Sequence, residues 1–185
     1  GASEAIIMTL DCITNEGDEL IIPEPFYANY DTFAAACGVK VVPVSSTIDT
    51  NFSLPSIEEI ERKINNKTRA IFICNPNNPT GYVYTQKELN DLADLVKKHD
   101  LFLIVDEVYR EFVYDGTIHH SVLTIPGLEE HAILVDSMSN DTVCVVQNWM
   151  FGLQKQSRDG GCAEVCPIST FSAHSRATCF RSRHG

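Results

Sequence analysis

The apolar positions of this chain fall into short runs and stripes whose period changes along the sequence. Continuous, β-branched runs occupy 19–22, 39–44, 69–74, 101–105 and 132–135, as in Ile71-Phe72-Ile73 and Leu101-Phe102-Leu103-Ile104-Val105. Runs of that length without polar alternation predict strands covered on both faces. Between them the period is helical. Residues 3–14 place Ile6, Ile7, Leu10 and Ile13 on one stripe. Residues 85–99 open on the capping box Thr85-Gln86-Lys87-Glu88 and close on Lys97, Lys98 and His99, cations at the negative end of the helix dipole. Ser56-Ile57-Glu58-Glu59 opens a further helix over 56–65 in the same way. The alternation predicts an α/β fold in three layers, a mostly parallel sheet with helices on both faces. In such sheets ligands gather at the carboxyl ends of the strands.

Unusual residues stand at those ends. The run 69–74 leads into Asn75-Pro76-Asn77-Asn78-Pro79-Thr80-Gly81, where two prolines stiffen a loop rich in amides. The run 101–105 ends in Asp106-Glu107-Val108-Tyr109. A carboxylate there is costly unless it meets a cation or several donors; it reads either as a helix cap or as an anion facing a cationic ring nitrogen. The run 132–135 ends in Asp136-Ser137-Met138-Ser139-Asn140, hydroxyls suited to a phosphate or to an ordinary turn. Gly1-Ala2-Ser3-Glu4 precedes the first helix, where small residues leave N–H groups open to an anion. In Pro25-Phe26-Tyr27 either ring can stack on a flat ligand, core packing being the expectation for Phe26.

Composition narrows the classes. The chain has 185 residues, net charge -11, 44% hydrophobic and 21% charged residues. These values predict a soluble globular domain and exclude disorder. A pI of about 4.8 excludes a nucleic-acid or anionic-membrane binder. No apolar run approaches the ~20 residues of a membrane span. The start lacks the basic-then-apolar pattern of a leader and lacks a methionine, which suggests a fragment or a processed start. Seven cysteines, an odd number in irregular spacing, read as reduced thiols of a cytoplasmic protein. Residues 1–140 hold 9 Lys+Arg against 22 Asp+Glu, whereas residues 141–185 hold 5 against 3, with four of the seven cysteines and the only tryptophan. Periodicity fades at the same place. Cys162, Cys166, His174 and Cys179 lack the paired spacing of a zinc site, so no metal is expected.

The strings Asn75–Gly81, Asp106-Glu107-Val108-Tyr109 and Ser137-Met138-Ser139, in this order and spacing, resemble the class I/II aminotransferases, fold-type I enzymes dependent on pyridoxal 5'-phosphate, and most of all their aspartate/aromatic branch. The resemblance covers 1–139. It implies that residues 1–139 are part of a cofactor-binding large domain. It assigns Asp106 to the pyridinium nitrogen, Asn78 and Tyr109 to the phenolic oxygen, Ala2, Ser3 and Ser137 to the phosphate, and Tyr27 to the ring face. It further implies transfer of an amino group from an amino acid to a 2-oxo acid, and a homodimer with its site at the subunit interface.

One departure is chemical. The family carries, three residues after Ser137, the lysine that condenses with the cofactor aldehyde; here that position is Asn140, and an amide cannot do so. The family's following Gly-x-Arg-x-Gly is absent too, as are its N-terminal segment and a clear carboxylate-binding arginine. Back-translation offers a cause. One base inserted at the Asn140 codon permits Lys-Arg-Tyr-Ser-Val-Cys-Gly, and a second near Asn148 lets Trp149-Met150-Phe151-Gly152 yield Ile-Gly-Cys-Leu. Residues 140–185 thus read as an out-of-frame tail packing poorly on the body, and the polypeptide as catalytically inert. The alternatives are a lyase or decarboxylase of the same fold, a natural lysine-less protein that binds cofactor or a partner, and an unrelated α/β domain with a chance motif.

Overall fold

The computed structural model describes residues 1–138 and 143–147. Asn140, most of the segment beyond it, and Cys162, Cys166, His174, Arg176, Cys179, Arg181 and Arg183 lie outside the described residues. The chain runs α1 (Ala2–Ile13), β1 (Glu19–Glu24), α2 (Asn29–Ala36), β2 (Lys40–Ser45), α3 (Ile57–Glu61), β3 (Thr68–Cys74), α4 (Gln86–His99), β4 (Phe102–Asp106), β5 (Ala132–Met138) and β6 (Val143–Gln147), with short 3-10 turns at Ile48–Thr50 and Val122–Thr124. The strands form one sheet in the order β2-β1-β3-β4-β5-β6. Neighbours are parallel through β5, and β6 is antiparallel to β5.

The strand runs are apolar throughout because both faces are covered. Along β3, Ala70, Phe72 and Cys74 face one core while Ile71 and Ile73 face the other. The first core holds Ala5, Ile6, Leu10 and Ile13 of α1 with Tyr30 and Ala34 of α2. The second holds Ile60 of α3 and Leu89, Leu92, Ala93, Leu95 and Val96 of α4. The same alternation sorts the residues that end each strand. Ile104 and Val135 belong to the α1–α2 side, and Asp106 and Ser137 continue their period.

Both expected capping boxes form. Ser56 accepts from the Glu59 N–H, and Thr85 from the Glu88 N–H. The helix expected over 56–65 stops at Glu61, because Asn65 folds its own backbone: its side chain accepts the Lys67 N–H at 2.8 Å and its N–H donates to the Thr68 hydroxyl at 3.0 Å. α2 lacks a capping side chain and has no sequence signature; burial of Tyr30 and Ala34 stabilises it.

Candidate cofactor site at the strand ends

β1 has β2 on one side and β3 on the other, so the connections leaving β1 and β3 part in opposite directions. In sheets of this kind such a switch marks the crevice where ligands bind, at the carboxyl ends of the strands. The loop after β3 lines it and is held by its own amides. Asn77 Nδ2 donates to Thr80 Oγ1 at 2.8 Å and, across the crevice, to Pro25 O at 3.1 Å. Gly81 takes a φ of +73°, a conformation that glycine adopts freely, and its N–H closes onto Asn77 O at 2.7 Å. Asn75 is fully buried and structural: its Oδ1 accepts the Tyr84 N–H at 3.0 Å and its Nδ2 donates to His120 O at 3.2 Å. The remaining asparagine, Asn78, is half-buried, and its Nδ2 donates to the Tyr109 phenol at 3.5 Å. Tyr109 is 39% exposed and reaches Asn78 from the turn after β4.

Asp106 ends β4 and is 5% exposed. Oδ2 accepts the Tyr30 hydroxyl at 2.8 Å, and Oδ1 accepts the Val108 N–H at 3.1 Å. Its own carbonyl accepts the Asn75 N–H at 2.9 Å, which locks the Asn-Pro loop to the aspartate. Burial pushes the carboxyl above its ordinary range; the two donors pull it down, and Asp136 adds a smaller upward push. A cation placed against Asp106 would return it to the anion.

Tyr30 and Cys74 are the members of this site that sequence reasoning missed. The Tyr30 ring lies 4.3 Å from Phe72 and meets Tyr27 edge-on at 5.5 Å. Burial, then Cys74 and Asp106, raise its phenol, so it remains a hydrogen donor. Burial and Asp106 push the Cys74 thiol up to about 12, and it donates to Pro76 O at 3.2 Å. The one available signal was the pair Tyr27 and Tyr30, one turn apart where the chain enters α2.

The other expected residues fall on the same side of the sheet. Tyr27 is half-buried and its hydroxyl accepts from Asn29 Nδ2 at 2.6 Å. Phe26 packs against the α1–α2 core, as expected for it. Ala2 leans on that core while Ser3 is exposed in the first turn of α1, where N–H groups lack partners within the helix. Ser137 is half-buried, and its N–H donates to Asp136 Oδ1 at 2.7 Å. The structure therefore joins Asn78 to Tyr109 directly, joins Asp106 to the Asn-Pro loop through the backbone, and sets Ala2, Tyr27 and Ser137 on the α1–α2 side.

A sequence profile described as "Aminotransferase class I and II" matches residues 1–145. The chain belongs to the class I and II aminotransferases. It is 33% identical to the aromatic-amino-acid aminotransferase 2 of Thermococcus litoralis over 98% of this chain and 48% of that protein. It is 31% identical to an aspartate aminotransferase of Pyrococcus abyssi over the same shares, 98% and 48%. The solved aromatic aminotransferase of Pyrococcus horikoshii superposes with a TM-score of 0.72 at 38% identity, covering 76% of this chain and 37% of that one. The aspartate aminotransferase of Thermus thermophilus with maleate gives 0.69 at 33% identity, covering 74% and 35%. The chain thus spans between a third and a half of these aminotransferases. Among the described residues no helix is long and apolar enough to cross a membrane, and no group of three His, Cys, Asp or Glu is placed to hold a metal.

Proposed function

We propose that residues 1–139 are the cofactor-binding part of an aminotransferase that moves an amino group between an amino acid and a 2-oxo acid, and that this polypeptide is itself inert. The observation that carries the reading is a buried aspartate tied to the Asn-Pro loop, beside an asparagine amide and a phenol that meet. The donor set suits pyridoxal 5'-phosphate: an anion for a ring nitrogen, two hydrogen-bonding groups for a phenolic oxygen, and an open helix N-terminus for a phosphate. Bound there, that group supplies a ring that withdraws electrons from the substrate Cα. Asp106 holds a proton on the ring nitrogen, and Tyr30 keeps Asp106 oriented. Asn78 and Tyr109 hydrogen-bond the phenolic oxygen, Tyr27 covers a ring face, and Ala2, Ser3 and Ser137 bind the phosphate. Position 140, an asparagine, holds no group able to attach covalently.

Titration of the chain with pyridoxal 5'-phosphate, followed by absorbance and tyrosine fluorescence, tests this. Saturable binding lost in Asp106→Asn supports it, and no binding by the parent chain overturns it. In the repaired gene product, transamination of aspartate or aromatic donors with 2-oxoglutarate is expected, rather than loss of a carboxyl group or of a side chain. We place the working protein in the cytoplasm as a homodimer; Cys12, Cys37 and Cys74 are not joined in disulfides.

A second reading, a natural lysine-less protein, draws on two observations. Residues 143–147 pair as β6 with β5, and the matches to the Thermococcus litoralis and Pyrococcus abyssi relatives run over 98% of the chain. The out-of-frame tail is favoured by the end of the family match at residue 145 and by the reversal of charge beyond 140. Resequencing the gene across codons 135–150 decides between them: an extra base restoring lysine supports the first, and a confirmed Asn140 codon the second.

A further inference from the structure

Next to Asp106, Glu107 turns the other way. Its N–H still donates to Val135 O at 2.8 Å, continuing the β4 ladder, so its side chain enters the α3–α4 side, where Val122 and Ile125 pack. Glu107 is 1% exposed. Oε1 accepts the Val122 N–H at 2.9 Å, and Oε2 stands 3.7 Å from His119 Nε2. That nitrogen is also 3.2 Å from Asn75 O; a carbonyl only accepts, so Nε2 carries a hydrogen. Asn75 in turn holds the next residue, donating to His120 O. The far side of the turn is tied by Arg110 to Asp136 at the end of β5.

These bonds fasten both ends of residues 108–121, a stretch without regular structure that carries Tyr109. A buried carboxyl costs desolvation that an apolar side chain of similar size would not. Here that cost accompanies a hydrogen bond to a backbone N–H fifteen residues away, which the stretch must dock to make. We infer that Glu107, held to the Val122 N–H beside His119, is a positioning residue that braces the β4–β5 connection and so fixes the Tyr109 phenol against Asn78. The inference rests on reading Asn78 and Tyr109 as the groups that face the cofactor. The groups around the brace are His119, Arg110, Asp136 and Ser121 about Glu107, and His120, Arg110 and Glu111 about His119. Burial pushes Glu107 up to about 7 and lowers His119, so the brace changes charge near neutrality.

The test uses the isotope-labelled 185-residue chain. Nuclear magnetic resonance reads the protection factor of the Val122 amide against those of Leu10 and Leu92, and the contact of the Asn78 amide with the Tyr109 ring, from about pH 5 to about pH 8. Glu107→Ala is expected to lower Val122 protection about ten-fold with Leu10 and Leu92 unchanged, and to abolish the Asn78–Tyr109 contact. Glu107→Gln keeps an acceptor oxygen; it should restore both signals and remove their pH dependence. Unchanged Val122 protection in Glu107→Ala overturns the inference, and so does an intact Asn78–Tyr109 contact once that protection is lost. Should Glu107→Ala not fold, Glu107→Gln decides: Val122 protection and the Asn78–Tyr109 contact rising or falling together support the brace, and a contact that stays while Val122 protection falls, or is lost while Val122 stays protected, overturns it. Binding of pyridoxal 5'-phosphate is measured alongside. A parent chain that binds none sinks the cofactor reading, while exchange and contact still judge the brace.

Discussion

At position 106 a carboxylate closes an apolar strand with two donors upon it, the Tyr30 hydroxyl and the Val108 N–H. Tyr30→Phe removes one of them and leaves the ring on Phe72. We expect it to lower stability by about 1–2 kcal/mol, the cost of a buried hydrogen bond to a charged acceptor, and to raise the Asp106 carboxyl further. Denaturant unfolding and carboxyl titration by magnetic resonance check the two effects. At position 107 the pH dependence has a definite sign. The folded carboxyl sits at about 7 against an ordinary 4.5, so folding favours the protonated form. Its contribution to stability is complete below about pH 4.5 and is lost as pH rises through about 7, amounting to no more than about 3 kcal/mol. Glu107→Gln should flatten that slope in urea unfolding; an unchanged slope would assign it to another group. The chain order Asp-Glu-Val-Tyr exposed the strand-ending acid and the phenol to sequence reading. It concealed what Glu107 does, because Val122 and His119 lie in a stretch with no period to place them.

At the scale of elements, α4 was legible because each of its signals agrees: a capping box, an apolar stripe and a basic last turn. Glu88 does more than cap. It accepts the Thr85 N–H at 2.8 Å, the Leu54 N–H at 2.9 Å and the Tyr82 hydroxyl at 2.9 Å, fastening α4 to two connections. Thr85→Ala should therefore cost about 1 kcal/mol and Glu88→Ala roughly twice that, read as successive drops in the unfolding midpoint. The strands were legible from their β-branched runs, with ends misplaced by up to three residues, the largest at the close of β5. α2 was not, since its stability comes from Tyr30 against Phe72, a tertiary contact that no local pattern announces. β6 went unread because its residues lie in the segment taken as out of frame.

Across the whole molecule, the sheet separates two apolar compartments, and the β4–β5 connection leaves large side chains outside both. Phe112, Tyr114 and Ile118 are 58%, 69% and 69% exposed. The chain is expected to self-associate as concentration rises, and Phe112→Ser with Ile118→Ser to reduce this in sedimentation velocity. The layered architecture and the place of the crevice were readable from β–α alternation, which leaves few topologies open. The division of labour across the sheet was not, since it depends on the parity of each strand at its last residue. That parity has a genetic consequence. Inserting or deleting a single in-frame codon between positions 102 and 106 would rotate the two acids by half a turn, delivering the wrong one to each compartment. Length in this short stretch is therefore held more tightly than the identity of its apolar letters, and drift there should proceed by substitution alone.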